Sequence, residues 1–341
     1  MSRNIYCDAR CVVDGKDIPH LKTASVTFAG DNKLNSINVT FGSPDLESYS
    51  LYNKKLEFYL NESSYESLPY FTGYIKDVSP TSSELKVKAL DPRTFISGRE
   101  ARKINITDKD NYDGYTLVQF LQDIVRDDRL PLGGEYLKET SIPVLMKKIR
   151  GDKDPYSFIQ QTIKKVVNDK DIENVKEFSV DIVESSEGPQ LIIKEKKDIN
   201  GNPSLRLSYM DGIQSLTYNK RAIPSYGIAK SGKFTGIFQD GNMPLGYRSV
   251  DVKGDFKDPD TAKYKALLEV YKGKDKSLDI TVDANKGFKT PLGSVIYLDV
   301  DDFRIRGNHL LTQKRTNWSE GNVKLKLSLG RPAPVIGDFL Q

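Results

Sequence analysis

SLDITVDANKGFKTPLGSVIYLDVDDFRIRGNHLLTQKRTNWSEGNVKLKLSLGRP, residues 277–332, decides the fold class of this chain. Leu278, Ile280 and Val282 alternate with polar residues, as do Val295 and Tyr297, and then Val323, Leu325, Leu327 and Leu329. A period of two marks strands with one buried face. Turn signals lie between them at Asn285 to Gly287, Pro291-Leu292-Gly293, Arg306-Gly307-Asn308 and Ser319-Glu320-Gly321. About four or five short antiparallel strands in so short a stretch predict a small β-barrel or sandwich. No catalytic apparatus shows in it, so the stretch reads as a structural part.

Strand patterns also fill residues 1–100. Segments 24–28 (ASVTF), 37–41 (INVTF), 56–60 (LEFYL), 71–78 (FTGYIKDV) and 85–90 (LKVKAL) alternate or carry aromatic and β-branched residues. Polar turns at 30–32, 42–44 and 80–84 divide them, and the spacing predicts a first compact barrel.

The character then changes. Over 115–127, Leu117, Phe120, Leu121 and Ile124 share one face of a predicted amphipathic helix. A second helix is predicted from Asp154-Pro155, an Asp N-cap followed by Pro at the first helical position. Its buried stripe is Phe158, Ile159, Ile163, Val166 and Val167. Strands at 178–183 and 190–195 complete a small α+β domain over 101–199. INGNP (199–203) marks a boundary. Alternation resumes over 204–219 around an Asp211-Gly212 break, then 227–247 turns glycine-rich. Asp258-Pro259 starts another helix over 260–272, with Gly273 as its C-cap.

The predicted class is therefore a β-rich α+β, multidomain chain. Two small antiparallel β-barrels are each elaborated by a small α/β domain. The second barrel is split between 200–230 and 278–341, around an inserted domain at 231–277 with one helix.

Composition agrees. A chain of 341 residues predicts about two to four domains. Its 38% hydrophobic and 29% charged residues are ordinary for a globular protein. The 51 Lys plus Arg against 47 Asp plus Glu leave +4, with the signs interspersed, which disfavours a dedicated nucleic-acid binder. The 18 Tyr against a single Trp, Trp318, suit a β-rich chain. The first residues lack the apolar core of a secretory signal, and no stretch approaches the roughly 20 apolar residues of a membrane span. Cys7 and Cys11 lie too far apart in an extended strand for a disulfide, about 13 Å between Cα atoms. With no second pair to complete a zinc site, they read as reduced thiols.

The sequence assigns no catalytic, cofactor-binding or metal-ligating residue. Its only histidines, His20 and His309, stand without a nucleophile motif beside them. Asp299, Asp301 and Asp302 form an acidic run at a strand end, and Asp8 and Asp14 bracket the first strand. The run lacks the glycine and glutamate of a calcium loop and reads as a solvated strand end. Leu132-Gly133-Gly134 lacks phosphate-loop spacing. The pairs Lys147-Lys148 and Lys164-Lys165 and the run 272–276 are scattered over different elements, as on a solvated surface.

The order of parts resembles the central baseplate hub proteins of tailed, mainly contractile phages of Mu-like, T4-like and late-control-D type. The residues that carry the resemblance are Ala89-Leu90-Asp91-Pro92 after the first barrel, the helix opening on Asp154-Pro155-Tyr156-Ser157-Phe158-Ile159, and the return strand 207–218 (LSYMDGIQSLTY). The closing barrel adds Thr290-Pro291-Leu292-Gly293-Ser294-Val295 and Ile305 to Leu311. The N-terminal part of type VI secretion spikes is related to the same family. Because the chain ends at Gln341 with no lysozyme or spike β-helix behind the barrel, a separate hub subunit is expected rather than a fused spike.

The resemblance implies a non-enzymatic structural virion protein, made in the host cytoplasm and resident in the tail baseplate. It implies a homotrimer whose two barrels per subunit form a pseudo-sixfold ring, joining the sixfold tail tube to the threefold central spike. Implied partners are the tail tube or its distal initiator, the central spike, baseplate wedge proteins, and the tape-measure protein and DNA passing through the channel. No cofactor and no direct membrane insertion are implied. The alternative is a carbohydrate-binding or polysaccharide-degrading β-protein of a tail or cell surface, for which Tyr49, Tyr52, Tyr59, Tyr65 and Tyr70 are the candidate aromatics.

Overall fold

The computed structural model describes residues 7–30, 33–42, 48–61, 68–97, 103–106, 112, 115–116, 119, 137–138, 151–159, 178–186, 188–195, 202–218, 224–230, 234–239, 248–253, 258–260, 262–263, 266, 278–282, 284–288, 290–301 and 305–330. Strands dominate them. The first group is β1 (Asp8–Val13), β2 (Lys16–Ile18), β3 (Leu21–Ala29), β4 (Ser36–Phe41), β5 (Lys55–Asn61), β6 (Phe71–Pro80) and β7 (Leu85–Leu90). Next come β8 (Ile104–Ile106), β9 (Leu137–Lys138), β10 (Gly151–Lys153), β11 (Phe178–Ser185) and β12 (Gly188–Glu195). The remainder are β13 (Leu205–Ser208), β14 (Ile213–Tyr218), β15 (Pro224–Lys230), β16 (Thr235–Gln239), β17 (Arg248–Lys253), β18 (Leu278–Val282), β19 (Val295–Val300), β20 (Ile305–Ser319) and β21 (Asn322–Gly330).

A β-rich, multi-sheet and mainly antiparallel fold is what alternation predicts. The burial pattern shows why. Leu85, Val87 and Ala89 of β7 are buried and Lys86 and Lys88 exposed, while Val323, Leu325, Leu327 and Leu329 of β21 are buried between exposed lysines.

Strands from both predicted barrels share one 13-stranded sheet, in the order β14-β18-β21-β20-β3-β4-β7-β6-β5-β1-β2, with β19 on β20 and β13 on β19. The 15-residue β20 makes the join. Its first part pairs with β19 from Ile305 to Leu310, and its second part pairs with β3 from Gln313 to Ser319. A bulge between Leu311 and Gln313 lies where the partner changes. There the Gly30 N–H donates to the Thr312 carbonyl at 2.8 Å, an approach so close that a Cβ on Gly30 would sit 2.4 Å from that oxygen. One extra residue keeps Leu311, Lys314, Thr316 and Trp318 on the face of Leu329, Leu327, Leu325 and Val323.

Two cores follow the sheet. One gathers Val26, Ile37, Phe41, Leu56, Phe58, Phe71, Ile75 and Leu85 with Phe288, Trp318 and Val323. The other gathers Leu207, Ile213, Ile280, Ile296, Leu298, Leu311, Leu325, Leu327 and Leu329.

The glycine-rich stretch after Tyr226 holds a three-stranded sheet, β16-β15-β17. β15, placed by the sequence at the end of the split barrel's first piece, hydrogen-bonds into this sheet. Ala262 and Ala266, both helical, pack on it against Ala229. The predicted Asp154 cap is present: its Oδ1 accepts the Ser157 N–H at 2.9 Å, and Phe158 and Ile159 are buried. Most of the predicted helix at 115–127, together with Ile163, Val166, Val167 and Gly273, lies outside the described residues.

Two turn signals are corrected. Residues Ala284–Gly287 form one helical turn. Arg306-Gly307-Asn308 lies inside β20, where Gly307 pairs with Leu298 at φ 136°, a conformation that glycine adopts freely. The reversal falls earlier because every residue of β19 takes a ladder partner.

Candidate functional site

The side chains that concentrate chemistry sit at junctions between elements. The first junction follows β7, at the Asp91-Pro92 phrase. Asp91 caps a 3₁₀ turn, Pro92–Phe95, by accepting the Arg93 N–H at 3.0 Å. Its second carboxylate oxygen accepts the Asn35 N–H at 2.6 Å. Arg93 folds back onto the same carboxylate, with Nη2 2.6 Å from Oδ2, and both side chains are essentially sealed from solvent. Nη2 also donates to the Lys33 carbonyl at 2.9 Å, and Nη1 reaches the Tyr156 hydroxyl at 3.4 Å. Burial works against the guanidinium charge, yet the adjoining Asp91 outweighs it and the Arg93 pKa is raised. A buried pair fully hydrogen-bonded in this way fixes an angle between segments: here β7, the Lys33–Asn35 loop and the capped helix at Tyr156.

The second junction is Lys314. Its ammonium is buried in the middle of β20 and donates to the carbonyls of Phe288 at 3.0 Å and Thr290 at 3.2 Å. It lies 4.9 Å from the centre of the Phe28 ring and 5.6 Å from that of Tyr70. Burial lowers its pKa to about 8. In sequence it is one of three polar residues, Gln-Lys-Arg, and nothing marks it as buried.

The residues singled out from the sequence are dispersed. Asp299 and Asp301 are each ion-paired to Arg306, at 2.8 and 2.6 Å, across the β19–β20 hairpin, and Asp302 lies outside the described residues. Asp14 pairs with Lys54 at 2.6 Å, and Asp8 is exposed on β1. His20 occupies a tight exposed turn at φ 61°, whereas His309 is buried opposite Ile296. Cys7 and Cys11 are both buried and form no disulfide; burial, then the charge of Asp17, raises the Cys11 thiol. The loop at Gly133-Gly134 and the lysine runs at 147–148, 164–165 and 272–276 lie outside the described residues. No group of three metal-ligating side chains occurs among the described residues, and no helix among them is long and apolar enough to cross a membrane.

Of the aromatic candidates for carbohydrate, Tyr70 is stacked on Phe288 at 4.7 Å inside the structure, and the Arg10 guanidinium covers Tyr59 at 4.2 Å. Tyr52 is half exposed, and the side chains of Tyr49 and Tyr65 lie outside the description. A shallow cleft of about 160 Å³ lies beside β13, between Arg206, Ser208, Asp211, Tyr297 and Asp299. Next to it the turn at Tyr209 and Met210 presents apolar side chains outward, Met210 fully exposed. Sequence reasoning missed this surface; the Tyr-Met pair before Asp211-Gly212 was the available signal. The sheet ends in three strands with a single partner among those described: β14 pairs only with β18, β2 only with β1, and β13 only with β19.

The whole-chain architecture is shared with solved structures. A tail protein from Neisseria meningitidis matches with a TM-score of 0.69 at 15% identity, over 97% of this chain and 98% of its own. The 43 kDa tail protein of prophage MuSo2 from Shewanella oneidensis matches with a TM-score of 0.71 at 12% identity, over 96% and 99%. This chain has the phage tail-protein fold. An E. coli component of the type VI secretion system shares it less closely, with a TM-score of 0.56 at 14% identity over 96% of this chain and 80% of its own. No family model and no curated protein matches the sequence. The tail-protein fold thus persists where identity has fallen too low for sequence comparison, as expected when alternation rather than particular residues specifies the strands.

Proposed function

We propose that this chain is a structural tail protein and acts as a baseplate hub. In this reading three copies form a ring around the channel, joining the sixfold tube to the threefold spike. The observation that carries it is the single sheet bearing two cores, whose main run of described strands ends in unlike edges, β14 at one end and β2 at the other, with β13 as a side branch on β19. Unlike edges suit a head-to-tail contact, which closes into a ring when the rotation allows. Likeness to tail proteins over nearly the full length of both chains supports the same reading.

The proposed domains are 1–100 and 200–230 with 278–341 as the two hub barrels, 101–199 as an outer α+β domain and 231–277 as the insertion, with β15 at the end of 200–230 counted with the insertion, whose sheet it joins. Tube or tube-initiator, spike and wedge proteins are the proposed partners, with tape-measure protein and DNA in the lumen. A charge near balance suits a lumen that must release DNA. The proposed location is the virion tail, and the proposed role needs no catalysis. The carbohydrate alternative is disfavoured by the packing of Tyr70 on Phe288 and the covering of Tyr59 by Arg10.

Light scattering on the purified protein, with negative-stain imaging, tests the proposal. A ring of three copies is the expected result, alone or on adding tube or spike protein. A species that stays monomeric at high concentration and binds neither partner overturns it.

A further inference from the structure

The β11–β12 hairpin meets the main sheet through one carboxyl group. β6 pairs with β5 from Phe71 to Tyr74, but its pairing with β7 begins only at Tyr74. Where β7 has left, the Thr72 N–H donates to Glu184 Oε1 at 2.8 Å, and the Thr72 hydroxyl lies 2.8 Å from Oε2. Thr72 is 1% exposed, so without Glu184 its backbone donor would be buried and unpaired. Glu184 therefore completes a ladder that no strand completes.

Its surroundings do not stabilise a negative charge strongly. From β5, Lys55 and Glu57 face it, but Lys55 is engaged with Glu57 at 2.6 Å; Tyr59 of β5 and Tyr74 of β6 are the other titratable neighbours. On its own strand, Asp181 is buried and acts on Arg93 instead. Desolvation accordingly outweighs the two Thr72 hydrogen bonds and raises Glu184 from 4.5 to about 7. Both protonation states fit the geometry. An ionised carboxylate accepts from the N–H and the hydroxyl. A protonated one accepts from the N–H through one oxygen and donates to the hydroxyl through the other.

We propose that Glu184 is a proton-operated latch that seats the β11–β12 hairpin on β6 when protonated and loosens it when ionised. A carboxyl with a higher pKa docked than free binds its proton more tightly in the docked state. Docking is therefore strongest in acid and weakens as the pH rises from 4.5 towards about 7, by up to about tenfold per unit; above that it is level. The inference stands on β6 and β11 alone and does not depend on the tail reading.

Hydrogen exchange of Thr72 and residues 178–195, corrected for intrinsic rates, reads the latch between pH 5 and 8.5. Protection in the wild type is expected to fall up to pH 7 and then hold, whereas Glu184→Gln stays at its acid value throughout. A flat wild-type profile, or the same slope in Glu184→Gln, overturns the proposal. Carbon-13 NMR titration of the wild-type Glu184 carboxyl gives a check independent of the variant's folding. A midpoint near 7 supports the latch, and one near 4.5 overturns it.

Discussion

The core under β1–β7 is packed with Phe41, Phe58, Phe71, Phe288 and Trp318, whereas the core around β13, β14, β18, β19 and β21 is built, among its described buried residues, from Leu, Ile and Val. The aromatic core also encloses polar groups. Trp318 donates its indole N–H to the Cys7 carbonyl at 2.8 Å, Tyr70 meets the Thr316 hydroxyl at 2.7 Å, and Lys314 lies against two rings. Aromatic rings present flat faces and polar tips that have to be satisfied, so a core made from them admits hydrogen-bond partners and even a cation. Branched aliphatic chains interlock without polar atoms. One ion pair also sets the aromatic side apart. Exposed pairs occur beside both cores, Lys22 with Glu84 and Lys54 with Asp14 beside the aromatic one, Arg306 with Asp299 and Asp301 and Lys326 with Asp279 beside the aliphatic one, but the buried pair, Arg93 with Asp91, lies where β7 ends.

The largest expected effect breaks this comparison at its ion pairs. Arg93→Leu leaves Asp91 buried without its partner and is expected to cost about 3–5 kcal/mol in urea unfolding. The double change Arg93→Leu with Asp91→Leu should restore part of that loss, and Arg306→Leu should leave the midpoint where it was. A loss at Arg93 no larger than that at Arg306 would remove the distinction between the two ends. Next in size are the cavities. Phe58→Ala is expected to cost about 3–5 kcal/mol and Leu327→Ala about 2–5 kcal/mol. Because β20 serves both cores, calorimetry should show each variant lowering one common transition. Two transitions that move separately would show the cores to be independent.

How much of this was legible in the sequence depends on the range of the interaction. β4, β5 and β7 fall within a residue of their alternating segments, and the Asp154 cap was read from two adjacent residues. The join of β20 to β3 left no trace, because Ser25 and Asn317, hydrogen-bonded at 2.7 Å, are 292 residues apart. Pairing between distant strands imposes no period on either one. Arg306-Gly307-Asn308 carries a local turn signal that the register with β19 overrides. Nothing in the sequence marks Lys314 or Glu184 as buried, since burial of a charge depends on what the chain brings over it. At the Tyr209-Met210 tip the sequence offered only the apolar pair beside a turn signal, because its exposure depends on what the fold leaves uncovered.

Lys314 gives the next effect and sharpens the comparison by pH. The group is lowered from 10.5 to about 8 in the folded state, so the unfolded chain binds more protons between those values. The Lys314 contribution to stability should therefore rise with pH from about 8 to 10.5, by at most about 1.4 kcal/mol per unit, opposed above pH 9 by the raised Cys11 thiol. Below pH 8 both states hold the proton and the slope vanishes. Lys314→Met should abolish the rise, while Lys326→Met, at the exposed edge of the aliphatic core, should leave it intact. Urea midpoints across that range make the test, and a rise that survives in Lys314→Met assigns it to another group.

The smallest effect concerns the hydrogen bond that ties the aromatic core to the start of the chain. Trp318→Phe keeps a ring in the core but removes the donor to the Cys7 carbonyl. That carbonyl sits on a buried residue whose own N–H already donates to the Gly321 carbonyl at 2.9 Å, so two bonds hold the residue before β1 to the β20–β21 hairpin. Losing one of them, together with part of the ring area, is expected to cost about 1–2 kcal/mol. The exchange of the Cys7 amide should accelerate more than that of β21, because the remaining bond to Gly321 then holds the N-terminal segment alone. Equal acceleration across both would mean that the indole contributes through packing, and that the aromatic core needs its rings but not their polar tips.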